Sequence, residues 1–153
     1  MMNNVVLTIL LFTLLSAACG EFNGYRSLPE HPAVDTLVVD DEWKQFCFTT
    51  GHAPTRFEFR TTQFTFLEIT DLYCKGDQFG IFDHESLLGS TGDADSNCTE
   101  NGENPNDAVA GGWSTAKFFL PTGNHNVTVL VLKNPYKEGS AAIRLTSVTP
   151  ILK

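Results

Sequence analysis

The sequence predicts an all-β domain: a single antiparallel β-sandwich of jelly-roll type with one long polar loop, preceded by a signal peptide. Many short segments rich in aromatic and β-branched residues alternate in polarity, and clusters of Gly, Pro, Asn and Asp separate them. No segment shows a convincing 3.6-residue period. The predicted division is a signal peptide over 1–20, an irregular lead-in over 21–35 and the β-sandwich domain over 36–153.

The N-terminal segment 5–18 is an almost unbroken apolar run, and small residues follow it from Ser16 to Gly20. An apolar core followed by small residues is the layout of a secretory signal peptide. The run is about 14 residues long, whereas a membrane span needs roughly 20. The pattern therefore favours a cleaved signal over a membrane anchor, with the mature chain beginning between Cys19 and Phe22.

The chain is acidic, with a formal net charge of −8, and no charged side chain precedes Glu21. This charge argues against binding to nucleic acid or to anionic membranes and is compatible with cations, basic partners or neutral ligands. No apolar run after Ala18 is long enough to span a membrane. Two Asn-x-Thr triplets, beginning at Asn97 and Asn126, predict glycosylation of an exported protein.

Alternating polarity and turn residues predict nine strands in order. They cover 36–40, 43–50, 56–60, 64–70, 78–83, 87–90, 115–120, 126–133 and 140–148. The alternation breaks near Phe66-Leu67, which indicates either a bulge or a strand covered on both faces. Residues 71–77 form a polar corner, and residues 91–112 form a long loop dense in Gly, Asp, Asn and Pro.

Four cysteines are present, and their spacing fits no paired zinc motif. Cys74 lies in the polar corner and Cys98 in the long loop, so a bond between them is predicted in an exported protein. It would close a loop of about 24 residues and stabilise the fold by roughly 3 kcal/mol. Cys47 then pairs with Cys19, if Cys19 is retained, or is a buried free thiol.

Acidic residues cluster at the same place. Asp71 and Asp77 flank the corner, and the predicted disulfide brings Asp107 of the loop beside them. Calcium takes six to eight oxygen ligands from carboxylates, amides and carbonyls. The three residues therefore predict a calcium site, and calcium is the only cofactor predicted. The alternative is that these residues serve only as turn formers and keep the surface soluble.

Aromatic residues near strand ends are candidates for stacking on sugar rings. Tyr73, Trp113 and Tyr136 combine a flat apolar face with a polar edge, as does Trp43. The alternative is that they cap the ends of the sandwich. Catalysis has little support, because the four histidines are scattered and no catalytic motif is present.

The segment DLYCKGDQFGIFDHESLLGST resembles a motif of uncharacterised secreted proteins of fungi and some other microbes. The motif reads D-x-[YF]-C-x-G-D-x-F-x-[VI]-[YF]-D, and the resemblance covers about 64–145, including Asn134-Pro135-Tyr136. The chain departs from the pattern at Asp83-His84-Glu85, where Asp-Asn-Gly is usual. The resemblance implies a β-sandwich and a secreted address, and it implies no established activity.

Together these patterns predict a secreted, non-catalytic β-sandwich glycoprotein that binds a carbohydrate or a cell-surface or matrix partner. The first alternative is a purely structural component of a coat, wall or matrix. A hydrolase is the least favoured alternative, because paired carboxylates can form a glycosidase site only if the fold brings them together.

Overall fold

The computed structural model describes residues 32–148, except for the side chains of residues 99–101. The predicted signal peptide, its cleavage site and Cys19 lie outside the described residues. The described elements, in order, are β1 Ala33–Thr36, β2 Lys44–Thr49, β3 Gly51–His52, β4 Thr55–Thr61, β5 Thr65–Lys75, β6 Gln78–Asp83, β7 Ser86–Ser90, β8 Asn97–Gly102, α1 Pro105–Ala110, β9 Thr115–Leu120, β10 Gly123–Lys133 and β11 Glu138–Ser147.

These strands form two sheets, which confirms the predicted all-β sandwich. The first sheet has the order β1-β4-β10-β6-β7, and β3 also pairs with β10. The second has the order β2-β11-β5-β8, and β9 pairs with β5. The pairs are antiparallel except for β1 and β4, which run parallel with Ala33 opposite Thr55. The antiparallel sandwich thus carries one parallel pair at the edge of its first sheet, which the sequence did not indicate.

Aromatic side chains join the two sheets across the core. Phe46 and Phe48 of β2 point inward because they share one parity of the strand, and both are buried. The Phe46 ring lies 5.4 Å from that of Phe57 on β4, and the Phe48 ring lies 5.1 Å from that of Phe79 on β6, both edge to face. Such pairs add directional contact to the burial of apolar area.

Strand β5 is buried on both faces towards its C-terminal end. Its pairing with β11 runs in continuous register from Thr65 to Leu72, so the predicted break near Phe66-Leu67 is not a bulge. Leu67 and Ile69 face the main core. Leu72 has the opposite parity and lies in a second apolar cluster with Ala108, Trp113 and Ala142. This cluster forms a partial third layer outside the second sheet.

The N-terminal boundary of the sandwich and the long polar loop differ from the sequence prediction. The first strand is Ala33–Thr36, which begins inside the predicted lead-in and shares only Thr36 with the predicted strand 36–40. The rest of that predicted strand contains an isolated bridge between Val39 and Leu145. Asp40 has φ 61° and interrupts the extended backbone there. The predicted loop 91–112 contains β8 and the helix α1.

Helix α1 follows from local signals that a search for long periodicity overlooks. The Asn104 side chain accepts the backbone N–H of Asn106 at 2.9 Å, and Pro105 occupies the first helical turn. Gly111 closes the helix by donating its N–H to the Asp107 carbonyl at 2.8 Å. The helix has only six residues and buries one side chain, Ala108, so it is too short to show a 3.6-residue apolar period.

The predicted disulfide between Cys74 and Cys98 is confirmed, with a Cα–Cα distance of 4.4 Å. It joins β5 to β8, whose pairing is irregular between Tyr73 and Lys75. Cys47 is also disulfide-bonded, so the alternative of a buried free thiol is wrong. The predicted pairing of Cys47 with Cys19 involves a residue outside the described part of the chain.

Removing the Cys74–Cys98 bridge by Cys74→Ser/Cys98→Ala is expected to release the segment from β8 to α1 before any other part of the sandwich unfolds. The bridge closes 24 residues, and without it the weakly paired β8 loses its covalent restraint. Limited proteolysis should then cut first between residues 92 and 112, while far-UV circular dichroism keeps its β signal. Cleavage that begins at β2 or β10 would show that the bridge stabilises the whole sandwich instead.

Candidate functional site

An open cleft of about 600 Å³ lies on the outer face of the second sheet. One wall is the segment between β1 and β2, from Asp40 to Trp43, together with Gln45 of β2. The other wall is the start of α1 with the residues before it, from Glu103 to Asn106, and Arg144 of β11 lies between the walls. The cleft therefore depends on the helix and on the partial third layer that carries it.

Trp43, Asn106 and Arg144 form the contact that joins the two walls. The Trp43 indole Nε1 donates to Asn106 Oδ1 at 3.0 Å, and the Arg144 guanidinium carbon lies 4.2 Å from the centre of the indole ring. Arg144 also donates to Asn106 Oδ1 at 3.4 Å. Stacking of a guanidinium on an indole is a favourable cation–π arrangement.

Arg144 makes an ion pair below the cleft with Glu68, which it shares with Lys117. Its Nε donates to Glu68 Oε2 at 2.7 Å, and Lys117 makes an ion pair with Glu68 Oε1 at 2.6 Å. Burial opposes ionisation of Glu68, but hydrogen bonds from Lys117 and Arg144 hold the pKa of its carboxyl below the usual value. Glu68 thus stays ionised, and its single negative charge is shared between Arg144 and Lys117.

The remaining charges of the cleft are negative. Asp40, Asp41, Glu42 and Glu103 all line it. The backbone N–H of Ser147 donates to Asp40 Oδ1 at 2.7 Å and lowers the pKa of that carboxyl. Four carboxylates outnumber the one arginine among the described residues that line this open, polar cleft, so its electrostatic potential is negative.

The aromatic residues predicted to stack on sugars do not form one platform. Trp113 is buried in the second apolar cluster, where a Cβ on Gly102 would lie 2.6 Å from its ring. Tyr73 is half-buried and packs against the same cluster. Tyr136 lies in the turn between β10 and β11 and is half-buried. The ring that lines the cleft belongs to Trp43.

The carboxylates predicted to bind calcium are only partly brought together. Asp71 and Asp77 are both buried at the junction of β5 and β6. Asp107 is exposed on α1. Within residues 32–148, no group of three or more His, Cys, Asp or Glu side chains is arranged to hold a metal ion.

A hydroxyl, an imidazole and a carboxylate lie side by side at one end of the neighbouring strands β4, β10 and β6. His125 Nδ1 donates to Asp83 Oδ2 at 2.7 Å, and His125 Nε2 lies 3.2 Å from Thr61 Oγ1. Thr61 is only 2% exposed, and its hydroxyl donates to the Pro121 carbonyl at 2.8 Å. A substrate cannot reach a nucleophile in this position, so the arrangement is structural and not a catalytic triad.

The two predicted glycosylation sites lie on strands. Asn97 begins β8 and Asn126 lies within β10, and both are half-buried. The Asn126 Oδ1 atom is buried and has no hydrogen-bond partner among the described residues. Glycosylation at either position stays a prediction.

Sequence reasoning missed the cleft as a site. The run Asp40-Asp41-Glu42-Trp43 could have indicated it, since three carboxylates precede an indole at the start of a strand. Arg144 and Asn106 carry no such signal. They reach Trp43 only because β11 pairs with β2 and because the helix folds over the second sheet.

The fold and the cleft define a β-sandwich module with an acidic surface cleft. No protein-family model matches the chain, so the resemblance to secreted fungal and microbial proteins stays a prediction. No curated protein matches either. Within the described residues, none of the helical structure is long and apolar enough to cross a membrane.

Two solved structures are similar to this chain in outline. One is the pre-peptidase C-terminal domain of collagenase from Bacillus anthracis, with 11% identity and a TM-score of 0.45, covering 78% of this chain and 99% of that domain. The other is PliG from Aeromonas hydrophila, a periplasmic inhibitor of g-type lysozyme, with 10% identity and a TM-score of 0.42, covering 74% and 98%. Likeness at this level carries no information on the ligand of this chain.

Proposed function

We propose that the chain is an exported, non-catalytic binding module whose acidic cleft holds a basic segment of an extracellular or cell-surface protein. The observation that carries the proposal is the cleft itself, in which four carboxylates surround a space of about 600 Å³. The secreted address rests on the predicted signal peptide and on the disulfides, which persist in oxidising compartments.

Electrostatics favour a basic partner over a neutral one. Arg144 is the one cation among the described residues that line the cleft, so it offsets at most one of the four lining carboxylates. A lysine or arginine side chain entering the cleft would make charge-assisted hydrogen bonds with them. The edge of Trp43 supplies apolar surface for the aliphatic part of such a side chain. Complementary charge also accelerates association and makes it depend on salt.

A carbohydrate fits the same cleft less well. Sugar rings stack on an open aromatic face, and here the guanidinium of Arg144 lies over one face of the Trp43 ring. Trp43 also packs against the second apolar cluster, which further limits the exposed area of the indole. Without an open aromatic face, the cleft offers a neutral sugar hydrogen bonds alone, whereas it offers a cation both hydrogen bonds and charge attraction.

The double variant Asp41→Asn/Glu42→Gln is expected to weaken binding of basic peptides by roughly fivefold to thirtyfold, since each exposed ion pair contributes about 0.5–1 kcal/mol. The measurement is titration calorimetry of the mature protein with a Lys/Arg-rich peptide selected from an array, at low and at physiological salt. Glu85→Gln/Asp95→Asn removes the same charge from exposed positions away from the cleft, and it should change the affinity less than about twofold.

Three results would contradict the proposal. The first is an equal loss in both double variants, which would reflect net charge and not the cleft. The second is specific binding on a glycan array that does not depend on salt, which would make a carbohydrate the ligand. The third is the absence of any bound peptide or glycan, which would favour a purely structural component.

A further inference from the structure

Two buried carboxylates with unsatisfied oxygens lie where β5 turns into β6. Asp71 and Asp77 are 0% and 1% exposed. Asp71 Oδ2 accepts the backbone N–H groups of Gly76 and Asp77 at 2.9 and 3.1 Å, and this holds the turn closed. Asp71 Oδ1 and both oxygens of Asp77 accept no N–H or O–H of another described residue, and the two carboxyl groups lie close enough to share a hydrogen bond with each other when one is protonated. Buried polar atoms of this kind are rare in native proteins and require an explanation.

The backbone of β11 and the turn after β10 close the space around these oxygens. A Cβ on Gly139 would lie 2.5 Å from Asp77 Oδ2, so β11 passes directly beside the carboxylate. Lys133 pairs with Gln78, which places Asn134 next in line beside Asp77. Asn134 Oδ1 and Nδ2 are also buried without partners among the described residues. The register of β10 against β6 thus places Asn134 at the same end of the sheet as Asp77, and both residues carry buried polar atoms without partners among the described residues.

The charged and titratable groups near the pair do not neutralise it. Lys133 is close enough for its charge to affect Asp77, but its Nζ is bound to Asp93 Oδ1 at 2.9 Å and to the Ala94 carbonyl at 3.2 Å. Tyr136 faces the pair, and the pKa of its phenol is raised by burial and by the charges of Asp77 and Asp71. No cationic side chain among residues 32–148 makes a salt bridge with either aspartate.

Two carboxylates in this environment cannot both stay ionised without compensation. Either a proton is retained, or a cation that takes the unsatisfied oxygens as ligands is bound. Four such oxygens are present: Asp71 Oδ1, Asp77 Oδ1, Asp77 Oδ2 and Asn134 Oδ1. A site built only from carboxylate and amide oxygens, with no nitrogen or sulfur ligand, suits a hard divalent cation. Among these, Ca²⁺ accepts a flexible coordination sphere that backbone carbonyls and water can complete.

We propose that Asp71, Asp77 and Asn134 bind one Ca²⁺ ion at the junction of the β5–β6 and β10–β11 turns. The site retains two of the three carboxylates that the sequence indicated and replaces Asp107 with Asn134, because Asp107 is exposed on α1. It is separate from the acidic cleft and does not depend on the proposed function. Its structural consequence is that the ion ties two turns together.

The test uses the mature protein after treatment with chelator, with CaCl₂ added alone. Millimolar Ca²⁺ is expected to raise the melting temperature by roughly 5–10 °C when the ion is about 100-fold above its dissociation constant. Asp77→Asn should abolish this rise, Asn134→Ala should weaken binding at least about tenfold, and Asp107→Asn should leave both quantities unchanged. Tb³⁺ in place of Ca²⁺ should give luminescence sensitised by Tyr136, and Tyr136→Phe should remove most of it.

Stability without the ion and the response to Ca²⁺ are both expected to depend on pH. Burial raises the pKa of both carboxyls, and the charge of Asp71 raises the pKa of Asp77 further. Without the ion, the folded state therefore holds protons that the unfolded state releases near pH 4, and stability falls as pH rises above about 4. Protons and Ca²⁺ compete for the same oxygens, so the rise in melting temperature with Ca²⁺ should be larger at pH 8 than at pH 5.

Asp77→Asn removes one buried charge and is expected to stay folded in chelator, which keeps the variant informative. The proposal is overturned if wild-type protein at pH 8 shows neither a change in melting temperature with Ca²⁺ nor sensitised Tb³⁺ emission. In that case a fall in stability between pH 5 and pH 8 would identify the pair as carboxyl groups that share a proton. A Ca²⁺ response that survives in Asp77→Asn would equally place the ion elsewhere.

Discussion

Phe48→Ala is expected to lower the free energy of unfolding by about 3–5 kcal/mol. Phe48 is 1% exposed and meets the Phe79 ring at 5.1 Å across the two sheets, with an interplanar angle of 80°. It also lies against Gly139, where an added Cβ would be 2.5 Å from the Phe48 ring. Strand backbone packs closely around it, so the cavity left by the smaller side chain cannot collapse fully. Chemical denaturation followed by tryptophan fluorescence measures the loss.

The matched control is Phe119→Ala, because Phe119 is 54% exposed on β9. Its ring contacts those of Phe64 and Phe66 on the surface, at 5.1 and 5.9 Å. The loss there should be below about 1 kcal/mol. Losses of similar size in the two variants would show that the packing between the sheets does not dominate the stability of the sandwich.

His125→Ala is expected to cost about 3–5 kcal/mol, because it leaves the carboxylate of Asp83 without its partner in a partly buried site. His125 is 5% exposed and stacks on Phe59 with 5.1 Å between the ring centres. Asp83 also accepts the backbone N–H of Asn126 at 2.9 Å, so the pair fixes the register of β10 against β6. Urea unfolding at fixed pH measures the change.

His84→Ala provides the control one residue from Asp83. His84 is exposed and makes a hydrogen bond from Nε2 to the Asn124 carbonyl at 2.9 Å. Its removal should change the free energy of unfolding by less than about 1 kcal/mol. If His84→Ala were as destabilising as His125→Ala, the turn after β6 would depend on the exposed histidine and not on the buried pair.

The strands were predictable because their signals are local. Residues 56–60 alternate aromatic and charged side chains, and the structure places Phe57 and Phe59 in the core within β4. The disulfide was predictable because Cys74 and Cys98 lie in two polar segments rich in turn residues, and because the sequence predicts an exported chain, in which such a bond persists. In both cases the residue types within short stretches of sequence were enough for the prediction.

The site was harder to predict because its parts are distant in sequence. Asp71 and Asp77 are close in the chain, but Asn134 joins them only through the pairing of β10 with β6. Arg144 joins Trp43 only through the pairing of β11 with β2. Helix α1 was missed for a different reason: six residues show a cap and a terminating glycine but too little periodicity to identify a helix.

The strand order also sets the sequence of events by which this chain can fold. β10 lies between β4 and β6, and β11 lies between β2 and β5. Strands β6 and β7 pair through a tight turn, and β5 pairs with β8 and β9 over longer connections within the middle of the chain. Strands β2 and β4 find their central neighbours only when the last two strands are present. Long-range pairing of this kind folds slowly. A chain still emerging from the ribosome therefore has no complete sheet, and both sheets close only after β11 has been synthesised.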